Sequence, residues 1–234
     1  MKAHNILFLL GCFLAACGPG QFETEHADAI SLAEKSAKLH SVLSEEHSTY
    51  KDILGTIKAF YPQLNKSKTI DAFEFKASYQ PHLLLAINNA VTSDERSKRT
   101  ELHKTLEGYS DLHYIQFSIE NKEFHSELLR FDLSSAQEYS DRIMYYSFYC
   151  NKNAYIIENE RDTIACAFVH FERTFDVSPK LNLTFVFEKK EHQPMDKVSF
   201  VFEDVIFNKG KLNFEFDYKS ISVLNAKEIN KILL

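Results

Sequence analysis

Between residues 24 and 60 the apolar positions follow helical spacing. Leu32, Leu39, Leu43, Tyr50, Ile53, Ile57 and Phe60 lie on an alternating four-three ladder, and most other positions are Glu, Lys, Ser or His. This predicts an amphipathic helix, or a helical pair, laid on the protein's own core. Ser36 and Glu46 interrupt the ladder and Gly55 marks a break, so no long seam remains for a coiled-coil partner. Pro62 ends the pattern. Asn65 to Lys68 reads as a polar loop. Phe73, Phe75 and Ala77 alternate with Glu74 and Lys76, which predicts a short strand. Pro81 suits the first turn of a helix carrying Leu83 to Ile87. Thr92 and Glu95 form a capping box for a further helix that carries Leu102 and Leu106 and stops at Gly108.

From residue 111 the period shortens to two. Ile115, Phe117 and Ile119 share one face, and a turn at Asn121-Lys122 would set Phe124 and Leu128 opposite them. Ser134 to Glu138 holds two overlapping capping boxes, so a helix is expected to start there. Residues 142–150 fit either period. Ile164 to Phe175 reads as one strand. Leu181 to Phe187, Val198 to Phe202 and Leu212 to Tyr218 alternate apolar and polar residues, with Asn208-Lys209-Gly210 as the turn of a closing hairpin. Asn225 would cap a short final helix. Helices dominate early (about 24–110) and strands late (about 111–234). The expected fold class is therefore α+β: N-terminal helices packed on a C-terminal, mainly antiparallel, Phe-rich β-sheet, in a single domain over 24–234.

The first residues follow a different pattern. Lys2 and His4 precede an apolar run from Ile6 to Ala16, which is short beside the ~20 residues of a membrane span and fits a signal-peptide core. The run ends in Leu14-Ala15-Ala16-Cys17. This stretch resembles the lipobox of bacterial lipoproteins. The resemblance covers about the first twenty residues and implies several things. Residues 1–16 would be a signal peptide cleaved between Ala16 and Cys17. Cys17 would carry a diacylglyceryl group on its sulfur and an acyl chain such as palmitate on its new amine. Two or three chains hold a protein on a bilayer, at ~0.8 kcal/mol per buried CH₂. Gly18 resembles the residue found there in lipoproteins sent to an outer membrane, so the expected location is the cell envelope, on the outer membrane facing the periplasm rather than the inner membrane. Residues 17–23 would form a tether reaching only ~25 Å.

Charge and cysteines add further limits. The formal net charge is −6, without a basic cluster, which argues against nucleic acid as a partner. With Cys12 removed and Cys17 lipidated, Cys150 and Cys166 remain in an oxidising compartment. A disulfide between them would close a loop of about 15 residues, worth ~3 kcal/mol; the alternative is two small buried thiols. If residues 142–150, 154–158 and 163–175 formed a meander, the two would lie on its outer strands and could not bridge.

No phosphate-binding loop, dinucleotide fingerprint, nucleophile elbow, His-Glu-x-x-His or zinc-spaced cysteine pair occurs. No catalytic residue, cofactor or metal is assigned on this basis, and an enzyme is the less favoured reading. Glu123, His125 and Glu127, facing Gln116 and Ser118, would share a strand face, and a solvated hairpin tip explains them better than a metal or acid–base site. His40, Glu45, Glu46 and His47 read as a charged helix face, and His170 as a core-edge histidine. Tyr139, Tyr145, Tyr146, Tyr149 and Tyr155 crowd together with Phe148. Each offers a flat apolar face and a polar tip, so they are the candidate recognition patch, against the plainer reading of a core layer. The expected function is a membrane-anchored envelope lipoprotein acting as a non-catalytic binding or scaffolding module. Its expected partners are the membrane, through the lipid anchor, and an envelope protein. A periplasmic carrier of apolar or lipid ligands and an envelope-polymer hydrolase are the alternatives.

Overall fold

The period-two segments of the second half recruit two strands from the first half, and the result is two antiparallel sheets that face one another. The computed structural model describes residues 31–44, 50–92, 106, 108–175, 177–190, 195–222 and 224. Residues 1–23 with Cys17, Glu45, Glu46 and His47, the Glu95 half of the Thr92–Glu95 capping box and the helix expected from Asn225 lie outside the described residues. The described chain belongs to a compact unit that begins at Ser31.

Helix α1 (Leu32–Ser44) starts at a reciprocal capping box: Glu34 N–H donates to Ser31 Oγ at 3.2 Å and Ser31 N–H to Glu34 Oε2 at 2.8 Å. Helix α2 (Tyr50–Phe60) buries Ile53 and Ile57, which join Leu39 and Val42 of α1 in the main core. Gly55 does not break this helix; it sits inside α2, with open space where a Cβ would stand. Residues 65–68 are not a loop. They belong to β1 (Asn65–Ile70), a polar edge strand paired with β2 (Phe73–Tyr79) across a turn in which Asp71 takes φ 53°. Pairing with β2 overrides the weak strand propensity of Asn-Lys-Ser-Lys, and Lys66 and Lys68 discourage further strand addition at this edge. Helix α3 (His82–Thr92) follows Pro81.

Strand β3 (Leu112–Asn121) pairs with β2, not with residues 124–128. The Asn121 carboxamide oxygen accepts from Glu123 N–H at 2.9 Å and turns the chain away. A 3₁₀ turn at Leu128–Arg130 then buries the neighbouring Leu128 and Leu129, which an alternating strand could not do. Helix α4 (Ala136–Met144) starts at Ser135, whose hydroxyl accepts from Glu138 N–H at 3.1 Å, as the sequence predicts. It runs into a π turn (Tyr145–Tyr149) and a 3₁₀ turn (Cys150–Asn153), so 142–150 is helical throughout.

The expected strand over 164–175 is two strands in two sheets. β4 (Ala154–Glu158) pairs with β5 (Asp162–Ala165), and β6 (Phe168–Glu172) pairs with β7 (Leu181–Glu188). The switch is written in consecutive amides: Cys166 N–H donates to Ala154 at 3.3 Å in one sheet and Ala167 N–H to Val186 at 2.9 Å in the other. β8 (Lys197–Asp204) and β9 (Gly210–Asp217) complete the hairpin, with Asn208 at φ 55° and Gly210 at φ 72°, and α5 (Tyr218–Ser222) follows. The spatial orders are β1-β2-β3-β7-β6 and β5-β4-β8-β9. The fold is therefore α+β with antiparallel sheets and a Phe-rich core, but strands and helices interleave more than the sequence implies. Phe117 of the five-stranded sheet meets Phe200, Phe202 and Phe214 of the other at 5.5, 5.1 and 5.9 Å between ring centroids. Each such ring buries a large apolar area, and edge and tilted contacts add to it.

Candidate functional site

Strand alternation gives the five-stranded sheet two unlike faces. In β3, His113, Ile115, Phe117 and Ile119 point inward and are buried, while Tyr114, Gln116, Ser118 and Glu120 point outward. Pairing registers align the outward residues of neighbouring strands into rows. Ser78, Gln116, Thr184 and His170 form one row; Lys76, Ser118, Asn182 and Glu172 form the next. Apart from His170, these residues line an open trough of about 410 Å³, together with Asn65 of the edge strand. That volume falls in the ~300–1,000 Å³ range of small-ligand sites. Among the described residues, the side chains of Gln116, Ser118 and Thr184 make no hydrogen bond, so their donors and acceptors are free to meet a ligand. Ser78 accepts from Gln80 at 2.9 Å, and Asn182 donates to Glu172 at 3.4 Å.

The inner face of the same sheet carries a second constellation. Tyr79 at the end of β2, His113 at the start of β3 and Glu158 at the end of β4 form a chain, with Tyr79 Oη 2.7 Å from His113 Nδ1 and His113 Nε2 2.8 Å from Glu158 Oε1. All three are buried, His113 completely. Burial holds the imidazole below its ordinary pKa despite Glu158, and it pushes the Tyr79 phenol up. The imidazole is therefore neutral at pH 7. Its contacts assign the proton: Nε2–H donates to Glu158, and the Tyr79 hydroxyl donates to Nδ1. Beside it, Lys189 Nζ donates to the Ser110 carbonyl at 2.6 Å and to His82 Nε2 at 2.8 Å. Burial lowers Lys189 to about 8; burial and then the Lys189 charge lower His82 to about 4. A phenol held protonated inside the core is no nucleophile. The chain instead ties β2 and β3 to β4 of the facing sheet, as a buried polar network with its partners in place.

Several residues expected to act together are apart. Glu123 and His125 are exposed in the turn after β3, while Glu127 is buried, accepting from Tyr139 Oη at 2.8 Å and pairing with Arg130 at 3.3 Å. They share no strand face because no strand forms there. His170 is exposed on the outward face of β6, not at a core edge. The tyrosine cluster disperses. Tyr146 is fully buried, Tyr139, Tyr145 and Tyr155 are half-buried, and Tyr149 is 49% exposed beside the exposed Phe148. Helical spacing over 139–149 turns successive rings to different sides, so they do not present one surface. Cys150 and Cys166 are free thiols and buried; their S–H groups donate to the carbonyls of Tyr146 at 3.3 Å and Phe168 at 3.1 Å. Burial pushes them up to about 12 and about 11. Since 142–150 is helical, no meander separates them.

Of the trough, Gln116 and Ser118 are the residues expected from the sequence; the rest of it and all of the inner chain are not. A signal existed for both. His113, Glu158 and Tyr79 sit in the apolar phase of their strands, at strand ends, where a polar residue needs a partner. The outward phases of β2, β3 and β7 hold short amides and hydroxyls beside the usual long charged side chains. Among the described residues no three His, Cys, Asp or Glu side chains converge as a metal site, and no helix is long and apolar enough to cross a membrane.

No protein-family model, curated protein or solved structure matches this chain.

Proposed function

We propose that this protein is a membrane-anchored lipoprotein of the bacterial cell envelope whose folded part is a non-catalytic binding module. The observation that carries the binding reading is the trough on the outer face of the five-stranded sheet, with hydrogen-bonding side chains from β2, β3 and β7 aligned by register and those of Gln116, Ser118 and Thr184 unspent within the protein. The location rests on the Leu14-Ala15-Ala16-Cys17 resemblance. Two features support binding over carriage or hydrolysis. The Phe-rich space between the sheets is filled by rings that touch one another, as between Phe185 and Phe200 at 5.4 Å, rather than by a lined void. The His–Glu–Tyr constellation is buried and holds its proton on tyrosine.

The test has two arms. Cys17→Ser abolishes lipid labelling and releases the protein from the membrane fraction; unchanged retention overturns the anchor. Separately, immobilised wild-type protein retains an envelope component that the Gln116→Ala/Asn182→Ala double variant does not. Equal retention by both overturns binding through the trough.

A further inference from the structure

We infer that the trough binds a neutral oligosaccharide, an inference that rests on the binding-module reading above. Charge is the first observation. The trough is lined by one ammonium and one carboxylate, Lys76 and Glu172, and its other polar side chains are amides and hydroxyls. The lysines in and around it are balanced by carboxylates: Lys76 meets Glu74 at 3.1 Å, Lys122 meets Glu74 and Glu120 at 2.7 and 2.8 Å, and Lys180 meets Glu120 at 3.5 Å, and Glu172 of the lining supplies the remaining negative charge. A phosphorylated or polyanionic ligand would find no net positive charge there, and a polycation no net negative charge.

Hydrogen-bonding capacity is the second. Gln116 offers a carbonyl and an NH₂ group, and Ser118 and Thr184 each offer a hydroxyl that donates and accepts. A sugar hydroxyl also donates and accepts, so a row of such groups is complementary to a row of sugar hydroxyls. A peptide main chain is a poorer fit. The backbone groups beneath the trough are spent in the β2–β3–β7 ladders, so none is left for strand addition over the face, and the β1 edge carries lysines.

The third is an apolar step beside the polar rows. Register aligns Tyr114, Val186 and Phe168 across β3, β7 and β6, two residues along from the Gln116–Thr184–His170 row, a distance of ~7 Å. Phe168 is 58% exposed and Tyr114 half-buried. A pyranose ring has hydroxyls at its rim and C–H groups on its faces, so it matches a hydroxyl-binding row bordered by an aromatic face. The polar rows cross β2, β3, β7 and β6, a span of about 14 Å at ~4.8 Å per strand, which suits a short oligosaccharide better than one sugar.

The test uses the full processed protein in a detergent with no sugar headgroup. It is titrated calorimetrically with neutral oligosaccharides of glucose, galactose, mannose, xylose and N-acetylglucosamine, with sulfated counterparts and a polar peptide pool in parallel. The expected result is saturable binding of at least one neutral oligosaccharide. Gln116→Ala and Asn182→Ala each weaken it about 3- to 10-fold, Phe168→Ala weakens it as well, and melting temperatures stay unchanged. Three results overturn the inference: no neutral oligosaccharide binds, binding ignores these substitutions, or only sulfated sugars or peptides bind. If no sugar binds while the envelope component retained through Gln116 and Asn182 proves protease-sensitive, the sugar assignment falls and the binding-module reading stands. If nothing is retained through those residues either, both fall.

Discussion

The two faces of the five-stranded sheet are made by the same strands and obey opposite rules. Inward, every large side chain of β3 is buried, and its polar members are bonded: His113 at both ring nitrogens and Asn121 through its carboxamide oxygen. Outward, one residue along, Gln116 and Ser118 are left without an internal hydrogen bond. The difference reflects solvent. A buried polar group without a partner costs about 1–3 kcal/mol, whereas water satisfies an exposed one at no such cost. The inner face must therefore complete its own bonding, and the outer face remains available to bond something else. Polar side chains on the first face report on stability, and those on the second on recognition.

Substitutions that differ only in which face they touch should break or sharpen that contrast. The largest effect belongs to the inner face. Phe117→Ala, which removes the ring joining Phe200, Phe202 and Phe214, costs about 3–5 kcal/mol in urea unfolding. Glu158→Ala follows, at about 2–3 kcal/mol, because it strands the His113 Nε2–H in the core. Glu158→Gln costs less, since its amide oxygen still accepts. An equal loss from both would mean that charge, not hydrogen bonding, holds the clasp.

The pH dependence is of comparable size. His82 has its pKa lowered from 6.5 to about 4, so between those values the unfolded chain binds a proton that the folded chain refuses. Its contribution to stability is complete above pH 6.5 and is lost as the pH falls toward 4, at up to ~1.4 kcal/mol per pH unit. His82→Gln should flatten the acid limb of a melting-temperature profile; an unchanged slope would place the titration elsewhere. The smallest effect belongs to the outer face. Gln116→Ala leaves the unfolding free energy within about 0.5 kcal/mol of wild type. A larger loss would show that the outer face is structural and would erase the distinction.

Legibility in the sequence followed the range of the interactions. The Ser135 cap, the alternation of β7, β8 and β9 and the inward phase of β3 depend on neighbours within a few residues, and they were readable. The hairpin expected at Asn121 failed because the pairing partner of β3 came from residues 73–79, a choice that local periodicity does not encode. The strand expected over 164–175 failed because an unbroken apolar run conceals a change of sheet at Cys166. The tyrosines do not form one exposed surface because a run read as either period is helical, which turns Tyr146 into the core and Tyr149 to solvent.

The sequence by itself determined the α+β class, the Phe-rich antiparallel character and which residues of most strands face inward, because side-chain alternation is a property of each strand alone. It also carried the lipobox-like start, with the expectations that follow from it. Tertiary structure alone decided that Tyr79, His113 and Glu158 meet, and that Ser78, Gln116 and Thr184 lie in one row. Both outcomes depend on which strands pair and in what register. Those choices are made by the burial of whole faces between segments tens of residues apart, so a local pattern could mark a residue that needs a partner but not which partner it meets.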